Sequence, residues 1–355
     1  MSAMPHSLAL SSRRRIGQQG VAVFLLVVLG AILLAVVEQL VMAPPAHISS
    51  RGFHEGLLRS ANGQPKLFLF IGVLSARSNT GRREAVREAW VDGSQVEGTS
   101  RTRFFVAARG DTDEAGRAEL AMARDVVLLK SEQTYRTISA ATLAVFQHAV
   151  TEYDFAFVLK TDDDSFVNVP ALVVALQQTC RHQGCRKEGL YMGYQVEKIV
   201  VTHGQPDHPH NSDEFWEHTG LNRYPKYMVG GGYVISEDVA RMLIITQQVV
   251  GLKSYTVEDA AFGYWLQPWT LRHVNHSRFR TIADECCFYP GDTNLTLREY
   301  VATDLCSSQP WLVLHKVVEL AQMRYLGQRL RSCMAASAAT ESVAGAASVS
   351  THLHQ

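Results

Sequence analysis

Residues 155–169 read FAFVLKTDDDSFVNV: an apolar run suited to a buried strand ends in three consecutive carboxylates, Asp162, Asp163 and Asp164. The same kind of run recurs upstream in KLFLFIGVLSA (66–76), TRFFVAA (102–108) and DVVLLK (125–130). Between these runs lie segments with helical spacing: GRREAVREAW (81–90), DTDEAGRAELAMAR (111–124) and Thr137 to Glu152. PALVVALQQT (170–179) follows with proline in its first turn. Strands apolar on both faces, alternating with helices, predict an α/β fold with a mostly parallel sheet covered on both sides. Ligands of such sheets bind outside the carboxyl ends of the strands, which is where the three aspartates fall.

Side chains alternate along an extended segment, so Asp162 and Asp164 face one way and Asp163 the other. Two carboxylates on one face repel unless a cation sits between them. A hard divalent ion such as Mg²⁺ or Mn²⁺, its shell completed by a diphosphate, answers that need. A solvated acidic turn capping the next helix is the plainer alternative, but the end of a buried strand is an unusual place for one. An EF-hand is excluded, because Phe166 stands where a ligand is required and no glycine follows.

Three later motifs bear on the choice. In YPKYMVGGGYVISEDVARML (224–243), Gly230, Gly231 and Gly232 either let backbone approach a ligand or make a tight turn. In YTVEDAAFGYWL (255–266), Glu258 and Asp259 open an amphipathic helix, as dipole partners or with one of them a general base. His315 ends the apolar run of WLVLHKVVEL (311–320), as a metal ligand or a core histidine. THGQPDHPHNSDEFWEH (202–218) carries His203, His208, His210 and His218, and its prolines and glycines mark a surface loop more than a second metal site.

GRREAVREAW, FVLKTDDDSFVNV, YMVGGGYVIS, VEDAAFGYWL and WLVLHK follow one another as in the β-1,3-galactosyltransferase family, glycosyltransferase family 31, which residues 66–325 resemble. The ending around Cys306 looks most like the type that adds the second galactose of the proteoglycan linker. The resemblance implies a GT-A-type fold, Mn²⁺ as cofactor, and a UDP-sugar donor, UDP-galactose favoured. It implies Asp162, Asp164 and His315 as metal ligands, with Arg82, Arg83, Arg87, Lys160, Asp162 and Asp163 on the donor side and Asp163 reaching toward the ribose. Gly230, Gly231, Gly232 and Glu258 would line the acceptor side, and Asp259 would be the catalytic base. Ala260 stands where the family motif usually has valine. Trp90 reads as core. A glycan or glycoprotein acceptor follows, with UDP-GlcNAc or UDP-GalNAc as other donors and hydroxyproline as another acceptor. A silent lumenal protein that keeps only UDP-sugar or glycan binding is the reading from a different class.

The ends of the chain fit this expectation. Arg13, Arg14 and Arg15 precede an uncharged run, residues 16–37, as long as the roughly 20 residues a membrane-spanning helix needs. The arginines place residues 1–15 in the cytosol and the body across the membrane, as in a single-pass type II protein of the Golgi; a cleaved signal is the alternative. Residues 38–65 read as a stem, 66–332 as the lumenal catalytic domain and 333–355 as a disordered Ala/Ser-rich tail. Asn275 and Asn294 open N-glycosylation tripeptides. The six cysteines, with no CxxC pair, read as structural disulfides of open connectivity. Lys and Arg balance Asp and Glu at 34 each, which gives no reason to expect nucleic acid as a partner.

Overall fold

The computed structural model describes residues 63–92, 99–130, 138–181, 185, 187–205, 211–281 and 305–351, with side chains to 336. The expected cytosolic segment, membrane anchor and most of the stem lie outside the described residues, as do His208, His210, Cys286, Cys287 and Asn294. Among the described residues no helix is long and apolar enough to cross a membrane.

The strands are β1 (Lys66–Ser75), β2 (Ser100–Ala107), β3 (Val126–Leu129), β4 (Asp154–Asp162), β5 (Phe166–Val167), β6 (Leu190–Val196), β7 (Tyr227–Ser236), β8 (Arg272–Asn275), β9 (Phe279–Thr281) and β10 (Val313–His315). The helices are α1 (Thr80–Val86, running into a π-helical turn at Arg87–Val91), α2 (Glu114–Met122), α3 (Ile138–Glu152), α4 (Val169–Thr179), α5 (Asp213–Thr219), α6 (Glu237–Val249), α7 (Glu258–Leu266) and α8 (Leu320–Thr351). Local chemistry explains several starts. Asp113 accepts a hydrogen bond from the Gly116 N–H to cap α2, and Asn168 caps α4 through the Ala171 N–H, with Pro170 in the first turn.

Seven strands form one sheet in the order β3-β2-β1-β4-β7-β6-β8. All its pairings are parallel except those of β7, which runs against both neighbours. The apolar strands are buried on both faces, as their composition requires. Leu69, Ile71, Val73 and Leu159 pack in one core with Trp90, Leu172 and Leu326. Phe70, Leu74 and Val158 face the other, with Phe146, Leu243 and Phe262. The result is a mixed α/β layer structure with a large central sheet, consistent with a GT-A-like glycosyltransferase.

Two features of this fold build the site. Because β7 is reversed, its glycine triplet lies beside the carboxyl end of β4, with Gly232 paired to Thr161. A small second sheet, β5-β10-β9, pairs Leu314 with Phe166 and so carries His315 to the acidic turn.

The C-terminal segment differs from expectation. α8 runs from Leu320 through Thr351, across the boundary placed at 332 and through the Ala/Ser-rich stretch. Alanine has the highest helix propensity of any residue, so low complexity here reads as helix in the structure. Cys333 on α8 is bonded to Cys306, and Cys180 to Cys185.

Candidate active site

Asp162, Asp164 and His315 each offer one donor atom, all within 4.8 Å of one another. His315 Nε2 lies 3.3 Å from Asp164 Oδ1 and 3.9 Å from Asp162 Oδ2. Asp162 Oδ1 and Asp164 Oδ1 are buried, with only Lys160 Nζ at 3.0 Å and His315 Nε2 at 3.3 Å as charged neighbours among the described residues and no hydrogen bond of good geometry. Carboxylate oxygens left in that state beside an imidazole are a donor set that fits a divalent cation. Burial pushes the Asp162 carboxyl above its usual range although Lys160 and His315 pull it down. For Asp164 burial also acts upward, but His315 and Arg82 outweigh it and hold the carboxyl below that range.

The turn that presents these groups is fixed from behind. Trp90, 1% exposed, donates its indole N–H to the Ser165 carbonyl at 3.2 Å. The hydroxyls of Ser165 and Thr161 both donate to the Gly231 carbonyl at 2.7 Å. The Val317 N–H donates to the Asp164 carbonyl at 2.8 Å, which ties the end of β10 to the same turn.

Gly231 has a steric reason to be glycine. A Cβ there would stand 2.1 Å from His315 Cγ, far inside contact distance. Gly231→Ala is therefore expected to push His315 out of the cluster. Cation affinity, titrated with Mn²⁺ in the presence of UDP, should fall about 10- to 100-fold, the range seen when the support of a metal ligand is disturbed. An unchanged titration would show that His315 does not contribute to the cation site.

Across Gly230 from the acidic cluster stands Asp259. Its Oδ2 accepts from the Gly230 N–H at 3.0 Å and its Oδ1 from the Ala260 N–H at 2.9 Å. It is half-buried at the start of α7. Burial first, then the neighbouring Glu258 charge, raises its carboxyl to about 6. A carboxylate fixed by two backbone donors, with affinity for a proton near neutral pH, is a competent general base. Glu258 is differently placed. It is buried and accepts from Thr142 Oγ1 and Tyr233 OH at 2.8 Å each, and its Oε2 pairs with Lys160 Nζ at 3.1 Å.

A galactosyltransferase family model matches residues 81–277, which hold the acidic turn, the glycine triplet and Asp259. The chain belongs to the galactosyltransferase family. It is similar to beta-1,3-galactosyltransferase 6 of Mus musculus, 31% identical over 242 residues that cover 66% of this chain and 71% of the relative. It is also similar to beta-1,3-galactosyltransferase 7 of Arabidopsis thaliana, 26% identical over 284 residues, 72% of this chain and 68% of the relative. Hydroxyproline O-galactosyltransferase GALT2 of A. thaliana is 27% identical over 202 residues, 56% of this chain but 28% of that longer protein. These relationships make the protein a galactosyltransferase-type enzyme.

Within this galactosyltransferase fold the anticipated residues divide. Of the three arginines on the first helix, Arg82 reaches the acidic turn, 3.7 Å from Asp163 and 3.8 Å from Asp164. Arg83 is fully buried and engaged by Glu119, Ser75 and the Ala76 carbonyl. Arg87 pairs with Asp125 and Glu119. These contacts lock the helix onto α2 and the start of β3, and of the three arginines Arg82 is the one that reaches the acidic turn. Asp163 turns away from the cluster, as alternation requires, and accepts from Ser75 Oγ at 2.7 Å and Asn79 Nδ2 at 2.9 Å. Burial pushes its carboxyl up to about 6 against those hydrogen bonds. Its Oδ2 is thus taken up inside the protein, where it anchors the start of α1, while its Oδ1 faces Arg82 at 3.7 Å.

The described histidines of the 202–218 segment do not converge. The His203 ring stacks on Trp216 and His218 pairs with the Tyr255 hydroxyl. Asn275 is exposed at the end of β8. The supports missing from the sequence reading are Thr142, Tyr233 and Ser165, and Trp90, read there as core, adds an indole N–H to the turn. They are ordinary residue types at ordinary spacing, and only their meeting in space marks them.

Proposed function

We propose that the protein transfers galactose from UDP-galactose, with inversion, in β-1,3 linkage to a glycan or glycoprotein acceptor. The observation that carries this reading is the placement of a single backbone-held carboxylate, Asp259, on Gly230, while the adjacent Gly231 packs against His315 of the Asp162–Asp164–His315 cluster. Asp162, Asp164 and His315 would hold Mn²⁺, and Arg82 would face the diphosphate beside them. The bound cation supplies charge neutralisation for the departing diphosphate.

The rest is the work of the chain. Asp259 takes the proton of an acceptor hydroxyl as that oxygen bonds to the anomeric carbon. The bond from that carbon to the diphosphate oxygen breaks, and UDP leaves from the opposite face. One displacement turns an α-linked donor into a β-linked product, so a single base suffices, unlike the acid–base pair of an inverting hydrolase. Glu258, saturated by its neighbours, would shape the acceptor side without taking a proton. In this reading residues 16–37 anchor the enzyme in the Golgi membrane with its catalytic body lumenal. Similarity to hydroxyproline O-galactosyltransferases makes hydroxyproline the second acceptor to test.

The full-length chain in detergent, with Mn²⁺ and each of UDP-galactose, UDP-GlcNAc and UDP-GalNAc, is expected to transfer galactose fastest. β-Galactosides, N-acetylglucosaminides and a hydroxyproline peptide serve as acceptors, and NMR of the product should show a β-1,3 bond. Faster transfer from another donor would overturn the donor assignment. No transfer from any would overturn the reading as a whole.

A further inference from the structure

Lys160 lies inside β4, two residues before the acidic cluster begins, and its side chain is 1% exposed. Burying an ammonium ion is unfavourable unless it is paired and hydrogen-bonded, and an apolar side chain of the same volume usually serves a core at least as well. The fold alone gives no reason for a charge here. Its contacts give one. Nζ lies 3.0 Å from Asp162 Oδ1 and 3.1 Å from Glu258 Oε2, and donates to the Gly230 carbonyl at 2.8 Å. Asp162 belongs to the cation cluster. Glu258 opens α7 immediately before Asp259, and is itself immobilised by Thr142 and Tyr233. Gly230, held through its carbonyl, holds Asp259 through its N–H.

We propose that Lys160 is a positioning residue that couples the two halves of the site, fixing Asp162 on the donor side and, through Gly230 and Glu258, the base Asp259 on the acceptor side. The Glu–Asp pair at the start of α7 then divides its labour: Glu258 anchors the ammonium ion and Asp259 meets the acceptor. This inference rests on Asp259 being the acceptor base.

Lys160→Met removes the charge at nearly constant volume. In the full-length chain, galactose transfer is expected to fall about 100-fold, the scale of a catalytic group displaced by an ångström. In an Asp259→Asn background the same substitution should cost about tenfold at most, because only its hold on Asp162 is left to lose. A purely structural role would give the same factor in both backgrounds, and that result overturns the proposal. Lys160→Met strands Glu258, so Lys160→Met/Glu258→Gln is measured beside Glu258→Gln alone. It should melt with its parent yet remain slow. Transfer equal to that of Glu258→Gln would overturn the proposal, and so would failure of both Lys160 variants to fold, which would make the residue a determinant of the fold. A wild-type chain inert toward every UDP-sugar is a separate failure, of the functional reading; an active wild type with an additive cycle sinks only Lys160.

Discussion

Asp259→Asn is expected to bind UDP and Mn²⁺ as its parent does and to transfer galactose about 100- to 10,000-fold more slowly, the range for loss of a general base. The separation follows from geometry. Asp259 is held by Gly230 and Ala260, and among the described residues no hydrogen bond or ion pair joins it to Asp162, Asp164 or His315, so its substitution should leave the cation cluster intact. Calorimetric titration of UDP with Mn²⁺, alongside single-turnover transfer, distinguishes the two effects. Retention of most of the transfer rate would remove Asp259 from the mechanism.

The same residue sets a pH dependence. As the proposed base, Asp259 must be ionised, so with its carboxyl raised to about 6, kcat/KM should fall as pH drops through that value. Stability runs the other way. A folded-state value above the unfolded one means that the native protein binds the proton more tightly, so ionised Asp259 costs stability at neutral pH. That cost disappears as pH falls from about 6 toward the ordinary aspartate value near 4. Relative to its parent, Asp259→Asn should therefore gain thermal stability as pH rises from 4 to 7. A flat difference between the two melting profiles would contradict the raised value.

Much of the fold was legible because its signals are local. β1 to β4 and the helices between them follow from apolar runs alternating with helical spacing, and the divergence of Asp163 from its neighbours follows from alternation alone. The reversal of β7 was not legible, since a strand buried on both faces reads the same in either direction. Gly230–Gly232 accordingly read as a tight turn or a close backbone approach to a ligand, and the structure places them inside β7. His315 owes its place to β10, a strand of three residues whose partner β5 lies far away in sequence. The partners of the arginines were hidden for a related reason. Arg83 and Arg87 had the charge for a diphosphate, but Glu119 and Asp125 become their partners only once α2 and β3 pack beside the first helix. Lys160 did leave a trace, being a lone charge inside a buried strand. Such a residue demands anions nearby, and sequence shows the demand without showing who meets it.

Asp164→Ala should abolish cation-dependent donor binding. Asp164 joins the two parts of the site, 3.3 Å from His315 Nε2 through one oxygen and 3.8 Å from Arg82 through the other. Without it, Asp162 and His315 remain as two donors 3.9 Å apart, and Arg82 keeps only its contact with Asp163. Hard divalent ions bind weakly to so few protein ligands unless a diphosphate completes their shell, so affinity for Mn²⁺ measured with UDP present reports the loss most directly. A drop of about 100-fold or more is expected, at the upper end for the surroundings of a metal site, because a proposed direct ligand is removed. The fold should survive, since the backbone hydrogen bond from Val317 to the Asp164 carbonyl does not depend on the side chain. Asp164→Asn, which keeps one oxygen donor but no charge, should fall between the two. Asp163→Asn, changing the aspartate whose carboxylate is taken up by Ser75 and Asn79, should leave the titration nearly unchanged. If Asp163 and not Asp164 controlled cation binding, the cluster would be assigned to the wrong face of the turn.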